Sequence, residues 1–589
     1  MDKQDIYHLI ATSILLCVYA YFSLLSGGFD INIQNVMFTW VLFVIPLIFL
    51  GCKTFRYLVL LHGVVSVLYL PVGMLWGRVN VNIVAALMGT NLTESKDFFS
   101  LIPYKYYLIQ LVFVGVMFLL LKTAQKIKPF NQNQKSSTAL MYVCMYVCMY
   151  VCMYVCMYVC WKHLNINIRY LLNFVLFPFC CYPFRVLALL FLLAVLFKKK
   201  SWDIGLMLTP ILFAVWWFAF SFSTTNIPNT LIYYETVTAW NEYQADKLKR
   251  IQADRRNRWV LSEPFTPKYK NYVLVIGESE RADYMSVYGY PLKTTPFLDS
   301  AKGVFIDGYY SSAPYTEKSL LRSLYWKPNH QDVFFGNFLQ LAKKAHLKTY
   351  WISNGNSRGT SNVSLLAQQA DYIDLKKIDE LMYDDELLDK IQKLFSTPKN
   401  LHTEDEYQSN LFILHLNGQH EPYCDKLRNQ PQFNLKAGDI DCYLQSIYEN
   451  DQMLQRLTEI LHQQGSWSLM YFSDHGLTHR NRKTDPRLYH LPATGRARQA
   501  FWVPMLQLSS DSTEHQIIKT QKSAFNFMYA FAEWLGIQEQ HLNPHYCFWC
   551  DEDDENIQVL VYQKVEGISW VGGKTIPLDQ LQEDPPILP

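Results

Sequence analysis

YVLVIGES, residues Tyr272 to Ser279, and LMYFSDHG, residues Leu469 to Gly476, decide how this chain is read. Each opens as an apolar run of strand length and ends abruptly in polar residues. Glu278 follows the first run; Asp474 and His475 follow the second. In an open α/β sheet, reactive groups gather just beyond the carboxyl ends of parallel strands. Two acids and a histidine delivered there make an oxygen- and nitrogen-rich metal site. The two strings therefore imply a metalloenzyme and say where its chemistry sits.

Outward from these strings, composition divides the chain. It has 589 residues, too many for one ordinary domain, and a formal net charge of +2. That charge gives no bulk electrostatic reason for a nucleic-acid partner. Half the residues are hydrophobic, and they are unevenly spread. Long apolar runs dominate residues 1–225, which read as a multi-span α-helical membrane domain. Residues 226–258 read as a connection, and residues 259–589 have the mixed composition of a soluble α/β domain. Within the connection, NEYQADKLKRIQADRRNRW (Asn241–Trp259) reads as a charged bridging surface helix or as a solvated linker.

A span needs roughly 20 apolar residues. The candidates are Ile6–Leu25, Met37–Gly51, Tyr57–Trp76, Tyr107–Leu121, Ile168–Phe197 and Ile204–Phe222. The first begins too late and runs too far for a cleaved signal, so it reads as a retained span. Lys53 and Arg56, then Lys122, Lys126, Lys128 and Lys135, then Lys198, Lys199 and Lys200 mark the cytoplasmic side. All three clusters fall inside only if an odd number of spans puts the globular half outside. Met141–Cys160, MYVC five times over, is an uncharged stretch of about span length. If it crosses, the count is seven. If it does not, and Ile168–Phe197 turns back at Pro183, the count is five.

The repeat also points to its gene. The codons ATG-TAT-GTA-TGT spell Met-Tyr-Val-Cys and are three copies of ATGT, so five periods make fifteen tandem tetranucleotides. The hypothesis is that slippage by one unit shifts the frame and switches the protein off and on (phase variation). Synonymous codons interrupting the tract, found by sequencing it, would sink this idea. A Cys-rich helix face for metal or haem is the rival, but it leaves the perfect repetition of Met, Tyr and Val unexplained.

Four of the 13 cysteines lie in the globular half. An even number in an extracytoplasmic domain implies disulfides. Sequence proximity favours Cys424–Cys442 and Cys547–Cys550; Cys547-Phe-Trp-Cys550 is otherwise a redox or zinc motif.

SSAPYTEKSLLRSLYW (Ser311–Trp326) is a polar turn followed by a helical pattern, with Thr316 at or near the helix N-terminus. Exposed N–H groups there favour an anion. A hydroxyl touching a dication at that place could ionise and attack phosphorus. The alternative is an ordinary N-cap.

GESERADYMSVYGYPLKTTPFL (Gly277–Leu298) resembles the first motif of the membrane phosphoethanolamine transferases, of the alkaline phosphatase/sulfatase superfamily. The family pattern continues at Thr316 and Ser319, in NGQHEPY (Asn417–Tyr423), in FSDHG (Phe472–Gly476) and at Tyr489–His490–Leu491. The matches are collinear over Tyr272–Leu506. The resemblance implies an α/β sulfatase/alkaline-phosphatase-like domain in which Glu278, Thr316, Asp474 and His475 bind zinc and Thr316 is the nucleophile. It places His420 and His490 nearby, to bind substrate phosphate or a second zinc, or to handle protons. His415, His462 and His479 match no role, although His479 could compete with His490.

In the membrane half, MGTNLTESKDF (Met88–Phe98) resembles the family's headgroup loop, with Thr90 and Glu94 as the matches. A carboxylate facing an ammonium makes electrostatic sense. The Asn often found four residues earlier is Ala86 here, and Asn91-Leu92-Thr93 also reads as a glycosylation or capping sequence. Cysteines that flank the nucleophile in many lipid A-modifying members are replaced here by Ser312, Arg322 or neighbours. The stretch Lys122–Phe197 is also longer than the family's usual connection.

The implied reaction is transfer of phosphoethanolamine from phosphatidylethanolamine to lipooligosaccharide, through a phospho-threonine. Core heptose is the favoured acceptor and lipid A the second. The implied location is the bacterial inner membrane, with the catalytic domain in the periplasm. The rivals are a phosphoglycerol transferase, a sulfatase-like hydrolase and a non-catalytic membrane interaction protein. Soluble sulfatases convert Cys or Ser to formylglycine, which a threonine cannot become. A neutral glycerol headgroup would not need Glu94.

Overall fold

The computed structural model describes residues 3–29, 51–77, 102–127, 231–328, 334–354, 362–375, 383–396, 409–490, 495–564 and 571–589, with short pieces within 31–44 and 79–84. The chain divides into two units. One is Met1–Arg78, Tyr104–Tyr234 and Val565–Trp570; the other is Val79–Pro103, Glu235–Lys564 and Val571–Pro589.

The first unit holds α1 (Lys3–Ser26), α2 (Gly51–Trp76) and α3 (Tyr104–Gln125). Their sequences are apolar on all sides, so packing one side leaves the other apolar too. Leu16, Tyr19, Phe55, Val59, Phe113 and Leu120 are buried among the helices. Tyr57, Leu61, Leu68, Leu108, Leu111 and Phe118 point outward and are exposed. Two polar groups among these helices find partners within the unit, as apolar surroundings favour. Tyr19 donates to the Val59 carbonyl at 3.0 Å, and Gln110 Nε2 donates to the Val67 carbonyl at 2.7 Å. Among the described residues, two stretches are long and apolar enough to cross a membrane, Cys52–Met74 and Tyr104–Gln125. The expected spans Ile6–Leu25, Tyr57–Trp76 and Tyr107–Leu121 fall on α1, α2 and α3. Met37–Gly51 is described only in pieces. Ile168–Phe197, Ile204–Phe222 and the MYVC repeat lie outside the described residues.

In the second unit, Asn241–Trp259 is helical as far as Asp254, within α4 (Leu231–Asp254). It is not a solvated linker: Tyr243, Arg250 and Ala253 are buried. Asp254 accepts hydrogen bonds from Asn337 Nδ2 at 2.9 Å and Tyr325 Oη at 3.2 Å.

The centre of this unit is an eight-stranded sheet. Its strands are β1 (Asn271–Gly277), β2 (Gly303–Tyr310), β3 (Leu347–Ser353), β4 (Tyr372–Leu375), β5 (Ser409–His415), β6 (Trp467–Ser473), β7 (Met505–Ser509) and β8 (His515–Ser523). Their order is β8-β2-β7-β6-β1-β5-β3-β4. Only β7 runs antiparallel to its neighbours. Parallel strands covered on both faces read as unbroken apolar runs, and every residue of β1, β5 and β6 is buried. Leu274 and Ile276 face a core shared with Phe338 and Leu339 of α6 (Phe338–Lys344) and Phe527 and Phe531 of α9 (Phe527–Leu535). Val273 and Val275 face the opposite core. There they meet Leu387 and Ile391 of α7 (Glu386–Ser396), and Tyr443 and Leu454 of α8 (Asp439–His462). The remaining helix that matters, α5, spans Thr316–Ser323.

Register sets the site. Gly277 of β1 pairs with Ser473 of β6, and Ile276 pairs with His415 of β5. Three central strands thus end level, and the residues after them emerge side by side. Disulfides join Cys424 to Cys442 and Cys547 to Cys550, the pairing that proximity favours.

Candidate active site

Glu278 leaves β1 and Asp474 leaves β6 at adjacent positions; the Asp474 N–H donates to the Gly277 carbonyl at 3.1 Å. The glycine at 277 leaves room for Tyr471, whose hydroxyl a Cβ there would meet at 2.5 Å. One oxygen or nitrogen from each of Glu278, Asp474 and His475 lies within 4.8 Å of the others, and all three residues are buried. His475 Nδ1 is 2.9 Å from the Gly476 carbonyl, which fixes it as the donor. Nε2 of the neutral ring then turns a lone pair toward Glu278 Oε1 at 3.4 Å and Asp474 Oδ2 at 3.5 Å. A histidine that donates one ring N–H to a carbonyl is held as metal ligands are held.

Asp474 Oδ2 is buried and has no hydrogen-bond partner. A buried carboxylate oxygen in that condition needs a cation or a proton. Burial and the Glu278 charge push the Asp474 carboxyl up to about 7. Glu278 behaves oppositely: burial opposes its charge, but His475 overrides burial and holds it well below the usual range. His475 is pushed up to about 9, burial being outweighed by the two carboxylates. Without a metal, the imidazolium offsets the two carboxylate charges. The donor set of two carboxylates and an imidazole fits zinc.

Thr316 is the first residue of α5, while Tyr315, with extended backbone, is the N-cap. The Thr316 hydroxyl does not cap the helix. It donates to Glu278 Oε2 at 3.0 Å and lies 3.4 Å from His475 Nε2. Ser319, one turn on, donates to the Asp474 carbonyl at 2.5 Å and ties α5 to the end of β6.

His420 and His490 approach from other loops. Their rings are 5.8 Å apart, and the His490 ring is 5.1 Å from that of His475. His420 Nδ1 donates to the Glu421 carbonyl at 2.6 Å, leaving Nε2 of the neutral ring as an acceptor. His490 Nδ1 is buried without a partner. Burial first, and then the charge of Lys426, pulls His420 down to about 4. Burial, helped by His475 and His420, pulls His490 down to about 3. Both rings are neutral near pH 7.

His479 does not compete for this position. Its Nδ1 is 2.8 Å from Asp584 Oδ1 and its Nε2 is 2.7 Å from the Tyr284 hydroxyl, so both nitrogens are engaged. His415 is buried beside Ser353, and His462 packs its ring on Trp467. Thr90 and Glu94 lie outside the described residues.

Three supports escape a reading of motifs alone. Ser279 adopts φ of +59°, a left-handed conformation that costs about 1–3 kcal/mol in a non-glycine residue. There its N–H donates to Asp474 Oδ1 at 3.0 Å and its hydroxyl to Glu278 Oε1 at 2.7 Å. Asp384 accepts the N–H groups of Asn417 and Gly418 at 2.9 and 2.7 Å, anchoring the loop that carries His420. Gly418, with φ of +45°, leaves no room for a Cβ against the Glu278 backbone. Ser279 sits inside a quoted motif; nothing in the sequence around Asp384 marks it.

This sheet, with a cluster at the strand ends that could hold a metal ion, is that of a sulfatase-type α/β domain, and the Sulfatase family matches residues 270–537. The chain is similar to proteins named phosphoethanolamine transferases. It is 26% identical over 518 residues to phosphoethanolamine transferase OpgE of Escherichia coli, covering 86% of this chain and 85% of that protein. It is 26% identical over 308 residues to phosphoethanolamine transferase EptA of Helicobacter pylori, covering 48% of this chain and 56% of that one. The chain thus spans most of OpgE but about half of the Helicobacter relative. The integral membrane lipooligosaccharide phosphoethanolamine transferase A of Neisseria meningitidis shares the fold. Its TM-score is 0.50 at 15% identity, over 92% of this chain and 96% of that one.

Proposed function

We propose that this chain is a zinc-dependent transferase that moves phosphoethanolamine from phosphatidylethanolamine to lipooligosaccharide through Thr316. The observation that carries the reading is the Thr316 hydroxyl, hydrogen-bonded to Glu278 and beside His475 at the mouth of the metal-ligand cluster. Glu278, Asp474 and His475, with Thr316, would hold the ion. A bound zinc would polarise a phosphoryl oxygen and lower the pKa of the threonine hydroxyl.

In the first half-reaction the Thr316 oxygen attacks phosphorus and the bond to the diacylglycerol oxygen breaks. The threonine proton leaves toward the carboxylate it already faces, and the departing oxygen takes up a proton. In the second, an acceptor hydroxyl attacks the phospho-threonine and the Oγ1–P bond breaks. His420 and His490, being neutral, suit the proton of that hydroxyl better than they suit protonating the first leaving group. A heptose of the core is the acceptor we favour, from the GES…MSVYGYP…TTP pattern, with lipid A second. Thr90 and Glu94 are the proposed contacts to the ethanolamine ammonium. The apolar N-terminal helices suit a substrate pair that is lipid on both sides, and an inner-membrane location with a periplasmic catalytic domain follows from that proposal.

The test is mass spectrometry of lipooligosaccharide from cells expressing the intact chain or Thr316→Ala, with lipid A and core separated. A phosphoethanolamine increment in the core, present only with the intact chain, is expected. An increment in lipid A alone would reassign the acceptor. No increment in either fraction, with protein in the membrane, would reject both acceptors and favour the phosphoglycerol or hydrolase alternative.

A further inference from the structure

Asp584 lies more than a hundred residues along the chain from the Asp474–His475 pair, yet it binds both segments that leave the metal-ligating strand ends. Its Oδ2 accepts from the Thr478 hydroxyl at 3.0 Å, from the His479 N–H at 2.8 Å and from Arg281 Nη1 at 3.2 Å. Its Oδ1 accepts from His479 Nδ1 at 2.8 Å. Its carbonyl accepts from Arg281 Nη2 at 2.6 Å, and its N–H donates to Gln499 Oε1 at 2.7 Å.

Arg281 is fully buried. Its Nε and Nη2 also grip the two oxygens of Asp283 at 2.9 and 2.7 Å, and Nη1 reaches the Leu477 carbonyl at 3.3 Å. Arg281 stands three residues beyond Glu278, and Leu477 stands two beyond His475. Between them the packing leaves no slack. A Cβ on Gly476 would meet the Gln499 carbonyl at 2.3 Å and Arg281 Cγ at 3.2 Å. The Gly476 carbonyl is the one that receives His475 Nδ1–H. The position of that carbonyl, and hence the aim of His475 Nε2, depends on a backbone that Asp584 and Arg281 hold from behind.

We infer that Asp584 is a positioning residue of the metal centre. By bracing Arg281 against the backbone of Leu477–His479, it fixes the separation of Glu278 from Asp474 and His475 and so strengthens binding of the divalent cation. The inference rests on the metal reading above. Partners that orient ligands from behind typically change metal affinity by about 10- to 100-fold when removed.

The experiment uses the full chain in detergent, with zinc alone as the probe. Zinc affinity is measured by competition with a chromophoric chelator, and melting is followed with and without zinc, for wild type, Asp584→Asn and Thr478→Val. The expected result is zinc binding weaker by about tenfold in Asp584→Asn, and by a smaller factor in Thr478→Val. The zinc-induced rise in Tm shrinks in step, because ligand binding to the folded state sets that rise. A purely structural Asp584 would lower Tm equally with and without zinc and leave the affinity unchanged; that result overturns the inference. If Asp584→Asn does not fold, an unchanged affinity in Thr478→Val overturns it instead. Wild type that binds no zinc would remove the metal reading itself, an outcome seen before any variant is compared.

Discussion

A single hydroxyl carries the chemistry proposed for this chain, and its setting makes sharp demands. Thr316 Oγ1 is within reach of Glu278 and His475 because it opens α5 rather than capping it. Thr316→Ala is expected to lower transfer by at least about 10³-fold, in line with the loss of other enzymes' nucleophiles. It should also abolish any phosphoethanolamine-modified peptide containing residue 316 on trypsin digestion of the trapped enzyme. Thr316→Ser keeps the oxygen and loses one methyl, a change worth roughly 1 kcal/mol, so it should stay within about tenfold of wild type. Radiolabelled-lipid transfer assays on both variants decide the matter: equal activity in Thr316→Ala and wild type would remove the nucleophile assignment. At this scale the sequence was informative where polar residues interrupt an apolar run. Glu278, Asp474 and His475 stand out because they abruptly end long apolar runs. Asp384 and Asp584 do not, because each acts through a segment distant in sequence, and such partnerships leave no local pattern.

At the scale of elements, the apolar runs were legible as strands because both sheet faces are covered, so β1 and β6 needed no alternation to be recognised. The antiparallel insertion of β7 between β2 and β6 was not legible, since strand direction leaves no trace in a five-residue run. The charged stretch before Trp259 left helix and linker open, because Tyr243 and Arg250 look like surface residues until their partners are known. The disulfides can be ranked by the loops they close. Cys424–Cys442 has a sequence separation of 18 and Cys547–Cys550 a separation of 3. Loop-closure entropy then gives about 3 kcal/mol for the first and about 2 kcal/mol for the second. Cys424→Ser/Cys442→Ser should therefore lower the urea midpoint more than Cys547→Ser/Cys550→Ser. The reverse order would show that the Cys547–Cys550 bridge holds native structure directly. The core should respond more strongly than either: Leu274→Ala, at a fully buried site in β1, is expected to cost about 2–5 kcal/mol.

For the whole molecule, the cluster that braces the centre also gives stability a pH dependence. Arg281, Asp283, His479 and Tyr284 surround the Asp584 carboxyl. Burial works against its charge, but the His479 hydrogen bond and the Arg281 charge prevail and pull it down to about 2. Unfolded, the same group titrates near about 3.9. Its folded value is the lower one, so the unfolded chain binds the proton more readily. The contribution of Asp584 is therefore complete above about pH 4 and is lost as pH falls toward 2. Urea unfolding of metal-free protein between pH 2 and 6 should show a wild-type midpoint that falls on acidification. Asp584→Asn should start lower at pH 6 and converge on wild type at the acid end, since protonation removes from wild type what the substitution has already removed. His479 is also depressed, by burial, so the unfolded chain binds its proton more readily too and it adds to this fall on acidification; the effect is held small because Asp584 itself favours the protonated ring. Parallel curves for the two proteins would mean that Asp584 is not ionised against Arg281 in the folded state. The positioning role inferred for it would then lose its electrostatic basis, leaving only the neutral hydrogen bonds to hold the two strand ends at their spacing.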